Sequence, residues 1–180
     1  MNPIITMQSN RISEAIWVPS PHFDERPTQD ISLIVIHGIA LPPEIHNPLP
    51  VLAFFQGRLN LASDPYFFGL EGVRVSSHLV IGRLGDLYQA VEFDRRAWHS
   101  GRSAFNGRAD CNDFSIGIEL IGPEEGPFSD LQLNSLKRVC QLLCSNYEIP
   151  AEHIVGHCQV APGRKVDPGA DFPYERIRPN

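Results

Sequence analysis

Two histidines and one aspartate carry the side chains most typical of a catalytic metal site. His37 follows the aliphatic run at residues 31–36, and His157 follows the short apolar run at residues 154–156, so each is predicted to lie where a strand ends. Asp167 comes ten residues after His157, in a segment rich in proline and glycine. Two imidazoles and one carboxylate form a ligand set for catalytic zinc that leaves one coordination position free for water. The trio therefore indicates a zinc site, although a single histidine at a strand end is more often hydrogen-bonded or exposed without a metal.

A glutamate and a lysine accompany this trio. Glu119 lies in a predicted strand at residues 114–121, whose alternation puts it on the same face as Gly117. Its carboxylate is either a charge at the strand exit that faces water or a group held in a site with a raised pKa, and spacing leaves both open. Lys165 precedes Asp167 by two residues, so in an extended loop the two side chains point the same way. Such a lysine either places positive charge beside an oxyanion or lies exposed on the loop.

Strand-like and helix-like segments would position these side chains. Strands are predicted at residues 31–37, 77–83, 87–93, 114–121 and 154–157. Ser129 is the predicted N-cap of an amphipathic helix that runs to about Tyr147. The long connection at residues 41–72 contains a short helix-like piece around residues 51–59, and its length is typical of a binding loop or a lid. This order of elements predicts an α/β domain with a mixed sheet.

Composition excludes several classes of partner. The net charge of -6 and the pI near 5.6 argue against nucleic acid, because proteins that bind it usually carry a basic stripe. The adjacent Arg95 and Arg96 are predicted to form a solvated face or a local ion pair. No stretch approaches the roughly 20 apolar residues that a membrane span needs, and residues 1–17 lack the apolar run of a secretory signal. We therefore expect a protein of the cytoplasm with no nucleic acid and no membrane as partner.

The four cysteines are expected to be reduced thiols, because none forms a CxxC pair and the chain is not of the small secreted type. Cys140 and Cys144 stand four residues apart on the predicted helix. This spacing suits a metal site or, more commonly, two small residues on a buried helix face.

Several longer motifs resemble those of one protein family. The motifs are VPSPHFDERP at 18–27, RVSSH at 74–78, RAWHSG at 96–101, CNDFSIGIEL at 111–120, GHC at 156–158 and APGRKVDPG at 161–169. Together they resemble the AmpD family, the cytoplasmic 1,6-anhydro-N-acetylmuramyl-L-alanine amidases of bacterial cell-wall recycling. The resemblance covers roughly residues 17–174, so we expect residues 1–180 to form a single amidase domain. It implies the type-2 amidase fold, a central mixed β-sheet flanked by α-helices.

The resemblance also assigns roles to residues. It implies that His37, His157 and Asp167 bind one zinc ion per chain, that Glu119 is the catalytic carboxylate, and that Lys165 assists at the oxyanion. It further implies that the substrate cleft is formed in part by Arg74, Trp98 and His99. The expected substrates are small soluble anhydro-muropeptides, which the enzyme would hydrolyse at the amide between N-acetylmuramic acid and L-alanine. We expect a monomer.

Two residues depart from the family pattern. Gly38 follows the first ligand histidine where asparagine is expected, and Asp110 stands where arginine is expected. Both departures concern binding of the substrate more than the chemistry. Two other functions remain as alternatives: a lytic amidase that acts on intact peptidoglycan, and a binding module that recognises peptidoglycan without cleaving it.

Overall fold

A computed structural model describes residues 5–179. Its strands, in chain order, are β1 Met7–Gln8, β2 Arg11–Ile12, β3 Ile16–Trp17, β4 Phe23–Glu25, β5 Leu33–Ile39, β6 Leu79–Ile81, β7 Leu87–Gln89, β8 Arg95–Ala97, β9 Ala104–Phe105, β10 Arg108–Ala109, β11 Ser115–Ile121 and β12 Ile154–Gly156. Its α-helices are α1 Pro48–Phe55, α2 Asp130–Tyr147, α3 His157–Val160 and α4 Tyr174–Ile177.

Six strands form the central sheet, in the order β12-β5-β11-β6-β7-β3. Strands β12, β5, β11 and β6 are mutually parallel, whereas β7 is antiparallel to β6 and parallel to β3. The predicted mixed sheet is confirmed. Strands β4 and β8 pair separately, and there Arg95 contacts Glu25 while Arg96 contacts Asp24. Of the two alternatives predicted for these arginines, a solvated face or a local ion pair, the structure shows the ion pairs.

The register of the parallel strands brings the candidate functional residues together. His37 of β5 lies opposite Glu119 of β11, and Gly156 of β12 lies opposite Ile36 of β5. His157 follows Gly156 directly and is therefore level with His37. Because parallel strands end at a common edge, three of the predicted site residues share the carboxyl-terminal end of the sheet.

Alternation along β11 divides the core between the two faces of the sheet. Ile116, Ile118 and Leu120 belong to the larger cluster, which also contains the buried face of α2. Ile121 belongs to a second cluster, in which it packs with Val80 and with buried side chains of α1. The predicted period-2 alternation is thus confirmed, and the sheet is covered on both faces. In α2, Cys140 is buried in the larger cluster and Cys144 packs against it, as expected of two small residues on a helix face.

Strand β5 begins at Leu33, two residues later than its hydrophobic pattern predicts, and it also ends two residues later. It continues through His37 to Ile39, because every residue from Leu33 to Ile39 pairs with a residue of β11. The predicted end at His37 is therefore wrong. The histidine lies within the strand, where pairing with Glu119 of β11 holds its position.

The connection at residues 41–72 has its own secondary structure. Helix α1 begins at Pro48, earlier than predicted, because the side chain of Asn47 caps it by accepting from the Leu49 N–H at 3.0 Å. Two 3₁₀ helices follow, at Leu61–Ser63 and Pro65–Leu70. The buried side chains of α1 pack on the sheet, so this connection is part of the core.

The described residues include no helix with the length and apolar character needed to cross a membrane. Helix α2, the longest of the α-helices described, carries a mixed sequence with one buried face.

Helix α2 starts at the predicted residue. The Ser129 side chain accepts from the Gln132 N–H at 3.1 Å, and the Gln132 side chain accepts from the Ser129 N–H at 3.0 Å. The Gln132 amide also donates to the carbonyls of Ile81 and Ile121, at 3.1 and 2.9 Å. This capping box therefore ties the start of α2 to the ends of β6 and β11.

We expect Ser129→Ala to lower the free energy of unfolding by about 1 kcal/mol, because it removes the cap of α2. The variant also loses the hydrogen bond from the Ser129 hydroxyl to the Arg83 carbonyl, at 2.6 Å. Urea unfolding monitored by circular dichroism measures the difference. Ser145→Ala, at an exposed position of the same helix, is the control and should stay within about 0.5 kcal/mol of wild type. Equal losses in the two variants would contradict the assigned role of the cap.

Candidate metal centre and active site

The three predicted metal ligands converge at the carboxyl-terminal edge of the sheet. His37 Nδ1 lies 3.0 Å from His157 Nδ1, and Asp167 Oδ2 lies 3.2 Å from the first and 3.1 Å from the second. All three side chains are buried. The loop that carries Asp167 is held against α3, because the Cys158 N–H donates to the Asp167 carbonyl at 2.8 Å. Elements that are far apart in sequence thus place three donor atoms around one point.

The far sides of both imidazoles are already occupied. His37 Nε2 lies 3.0 Å from His99 Nδ1, and His157 Nε2 lies 3.1 Å from the Ser100 carbonyl. A neutral imidazole that donates through Nε2 presents an unprotonated Nδ1 on its other side. Two such nitrogens and a carboxylate oxygen fit a divalent metal ion and match a catalytic zinc ligand set.

The electrostatics of these groups reflect their mutual contact. Burial lowers the pKa of His37 to about 4, which favours the neutral ring that can bind a metal. Burial would raise the pKa of Asp167, but its contacts with His157 and His37 outweigh it and leave the pKa well below its usual range. Asp167 is therefore an ionised carboxylate beside the neutral ring of His37. Burial also holds the pKa of His99 well below its usual range.

Glu119 is enclosed with these ligands. Its side chain is 6% exposed, and its Oε2 atom has no hydrogen-bond partner. Burial, together with the negative charge of Asp167, raises the pKa of this carboxyl well above its usual range, whereas Lys165 acts in the opposite direction. Of the two alternatives left open by the sequence, the solvated charge at the strand exit is therefore wrong.

A cleft of about 240 Å³ opens over the donor atoms. Lys165 lines it beside Glu119, and one wall comes from the connection at residues 41–72. Residues of this wall are Leu41, Phe54, Phe55, Tyr66 and Leu70. The edge of the sheet thus forms the floor of the cleft, and apolar side chains of the connection at residues 41–72 form one side.

The three predicted substrate-binding residues occupy different places. Trp98 lines the cleft and also a neighbouring cavity of about 500 Å³, whereas Arg74 lines only the second cavity. His22 stacks on Trp98, with ring centroids 6.0 Å apart and planes 11° apart. His99 is buried, 9% exposed, and its nearest polar partners are protein groups. Trp98 and His99 therefore both line the cleft beside the candidate metal ligands, His99 also contacts the far side of His37, and Arg74 lies one cavity away.

The two departures from the family pattern have different settings. A Cβ atom at Gly38 would lie 2.7 Å from the Glu124 carbonyl and 3.0 Å from the Pro123 carbonyl, so the residues after β11 approach the backbone here. Asp110 is exposed, has a positive φ of 59°, and is not among the residues that line the cleft. A larger residue at position 38 would require the loop after β11 to move.

Other residues that support the site carry no signal in the sequence. Ser100 supplies the carbonyl that receives His157 Nε2. The Asn112 side chain accepts from the N–H groups of His99 and Ser100, at 3.2 and 2.8 Å. Arg26 is buried and donates to four backbone carbonyls around β11. These residues occur within the family motifs of the sequence, and that membership is the only feature that could have predicted a role for them.

Comparison with known proteins identifies the class. The model of the N-acetylmuramoyl-L-alanine amidase family, Amidase_2, matches residues 27–170. The chain is therefore an N-acetylmuramoyl-L-alanine amidase. A 1,6-anhydro-N-acetylmuramyl-L-alanine amidase AmpD from Haemophilus influenzae is 47% identical over 98% of this chain and 97% of its own length. The AmpD of Escherichia coli K12 is 43% identical over 89% of this chain and 88% of its own.

Comparison with solved structures identifies the same family. A crystal structure of a selenomethionine derivative of AmpD superimposes with a TM-score of 0.91 and 43% identity, covering 96% of this chain and 97% of the other. The chain belongs to the AmpD family of these amidases, which confirms the resemblance read from its motifs.

The raised pKa of Glu119 predicts how stability changes with pH. The folded state keeps this proton to higher pH than the unfolded chain does, so the metal-free protein loses stability as pH rises above the ordinary glutamate pKa. Glu119→Gln removes that loss. The metal-free variant should unfold at higher urea than wild type near neutral pH, and the difference should shrink toward pH of about 4.

The exposed Glu152 provides the control, since Glu152→Gln should give no such trend. Urea unfolding at several pH values in the presence of a chelator measures both variants. A Glu119→Gln protein that is less stable than wild type throughout this range would show that the carboxylate is ionised and stabilised in the fold.

Proposed function

We propose that this chain is a zinc-dependent amidase that hydrolyses the amide between 1,6-anhydro-N-acetylmuramic acid and L-alanine in small soluble muropeptides. The observation that carries the proposal is the convergence of His37 Nδ1, His157 Nδ1 and Asp167 Oδ2 beside the unpartnered Oε2 of the buried Glu119. The names of the AmpD relatives support the substrate, since both are 1,6-anhydro-N-acetylmuramyl-L-alanine amidases. His37, His157 and Asp167 would hold the zinc ion, which would supply a Lewis acid and lower the pKa of a water molecule toward about 7.

Glu119 is the proposed general base and acid. Its burial beside Asp167 gives the carboxylate a high proton affinity, which suits a group that takes a proton from water and returns it to the leaving amine of L-alanine. Oε2 has no competing hydrogen bond with the protein. The carboxylate is therefore free to accept the proton of a water molecule in the cleft.

Lys165 is the proposed partner of the oxyanion. Its side chain lines the cleft with Glu119, and its charge is close enough to oppose the rise in the pKa of Glu119. An ammonium group in that position would stabilise negative charge that develops on the carbonyl oxygen of the scissile amide. For the substrate, we propose contact with Trp98 between the two cavities and with Arg74 at the second.

We further propose that residues 1–180 act as one amidase domain, as a monomer in the cytoplasm, on fragments released during peptidoglycan recycling. The net charge of -6 supports a partner other than nucleic acid. His99 lines the same cleft and also contacts His37 Nε2.

Metal analysis tests the ligand set. The zinc-loaded protein should contain about one equivalent of zinc, and the His157→Ala, Asp167→Ala double variant should contain far less than about half an equivalent, because only one ligand remains. Elemental analysis after gel filtration gives the content. Cys158→Ser adjoins the same ligand histidine and serves as the control that keeps its zinc. Full retention by the double variant would place the metal elsewhere.

Turnover of a defined substrate tests the chemistry. Mass spectrometry of an anhydromuramyl-tripeptide incubated with the zinc-loaded protein should detect free tripeptide. Glu119→Gln should keep its zinc and lose about 100- to 10,000-fold in turnover, because general acid–base catalysis is removed while the ligands stay. Activity within a few-fold of wild type in a zinc-replete variant would reject the role of Glu119. Simultaneous loss of zinc would make Glu119 a ligand instead.

Purified sacculi distinguish the alternatives. A lytic amidase clears a suspension of sacculi, whereas a recycling enzyme releases peptide only from the soluble substrate. A binding module would do neither while still associating with the wall.

A further inference from the structure

A chain of buried hydrogen bonds lies behind the ligand His37. His37 Nε2 contacts His99 Nδ1 at 3.0 Å, and His99 Nε2 contacts the Ser115 hydroxyl oxygen at 3.2 Å. The Ser115 hydroxyl in turn contacts the backbone carbonyl of Cys111. All of these side chains are at most 9% exposed, so water does not compete for the bonds. The chain of hydrogen bonds thus runs from His37 to a backbone carbonyl, which can only accept a hydrogen bond.

The carbonyl of Cys111 determines the direction of every bond in this chain. A carbonyl oxygen can only accept, so the single hydroxyl proton of Ser115 is donated to it. The Ser115 oxygen must therefore accept from His99 Nε2, which puts the proton of the neutral His99 ring on Nε2. His99 Nδ1 is left unprotonated and accepts from His37 Nε2. The consequence is that the unprotonated nitrogen of His37 is Nδ1, the atom that faces His157 and Asp167.

We propose that His99 is a positioning residue that, with Ser115, fixes His37 in the Nε2–H tautomer and thereby aims its Nδ1 lone pair at the metal. The proposal rests on the zinc site proposed above. It gives His99, which also lines the cleft, a role behind the ligand that does not depend on contact with substrate. Mutation of a residue that hydrogen-bonds to a metal ligand in this way typically lowers metal affinity by about 10- to 100-fold.

The surroundings of His99 fit this role. A Cβ atom at Gly117 would lie 2.4 Å from the His99 ring, so the absence of a side chain on β11 makes room for the imidazole. The backbone on the other side is fixed, because the Asn112 side chain accepts from the N–H groups of His99 and Ser100. The Ser100 hydroxyl lies 2.9 Å from His99 Nδ1 and can donate to the same unprotonated nitrogen. Every contact of the ring is consistent with one tautomer.

Long-range ¹H–¹⁵N NMR spectra of the histidine rings test the tautomer directly in the full-length wild-type protein. Near neutral pH, His37 and His99 should both be protonated at Nε2 and unprotonated at Nδ1, even when the protein is metal-free. Signals are assigned by comparison with single histidine variants. A metal-free protein in which His99 is protonated at Nδ1, or one in which His37 is, would overturn the proposal without reference to zinc or activity.

Zinc affinity, measured by competition with a chromophoric chelator, tests the consequence. His99→Leu should bind zinc about 10- to 100-fold more weakly than wild type, whereas His99→Asn, whose Oδ1 can replace Nδ1 as acceptor, should stay within about threefold. Affinity of the leucine variant within about twofold of wild type would contradict the proposal. Wild type that binds no zinc would instead reject the proposed function, so the two failures are distinguishable.

Ser115→Ala provides a milder test that does not alter an imidazole. It removes the group that fixes the His99 tautomer, so zinc affinity should fall by at least about threefold. Ser77→Ala is the matched control: Ser77 is equally buried, and its hydroxyl donates to the Gly117 carbonyl at 2.7 Å and contacts the Leu79 carbonyl at 3.3 Å, with no imidazole as its hydrogen-bond partner. If both serine variants lose zinc affinity equally, the effect is general packing and the assignment to the hydrogen-bond chain is wrong.

Discussion

The parallel pairing of β5 with β11 is the constraint on which the rest of the site depends. It holds His37 opposite Glu119 along seven consecutive paired residues, and the pairing of β12 with β5 brings His157 to the same level. Slippage by one residue would turn Glu119 away from the cleft and send Gly117 and Ile121 to the wrong faces. The buried alternation of β11, which divides its side chains between two apolar clusters, prevents that slippage. Hydrophobic packing thus sets the relative position of His37, His157 and Glu119.

This arrangement concentrates polar groups where burial is costly. Three donor atoms lie within about hydrogen-bond distance of one another, and the neighbouring carboxyl of Glu119 leaves an oxygen without a partner. A cation at the shared point would interact favourably with the ionised Asp167 and would reduce the proton affinity of Glu119. Metal binding and the protonation of Glu119 are therefore coupled, and the same burial that destabilises the charged carboxylate prepares it to accept a proton.

Sequence alone predicts the parts of this site that follow a strand pattern. His37 and His157 could be placed at a sheet edge because an apolar run precedes each, whereas the alternation around Glu119 left open whether its carboxylate faces water or a buried site. Asp167 reaches the same point through a loop held by a backbone hydrogen bond to Cys158, for which no periodic signal exists. Strand β5 continues to Ile39 because it pairs with β11, and its own hydrophobic pattern does not predict this continuation.

The residues that support this site through hydrogen bonds and close packing were harder still to predict from the sequence, for a physical reason. Ser115 and Asn112 act through hydrogen bonds to His99 and Ser100, which are 12 to 16 positions away, and one serine or asparagine looks like any other in a sequence. Gly117 is informative only once the ring of His99 is known to lie against it. Local pattern specifies where a strand carries a ligand, whereas the direction in which that ligand presents its lone pair depends on the folded surroundings. The chemistry of His37 is therefore a property of the fold as much as of the residue.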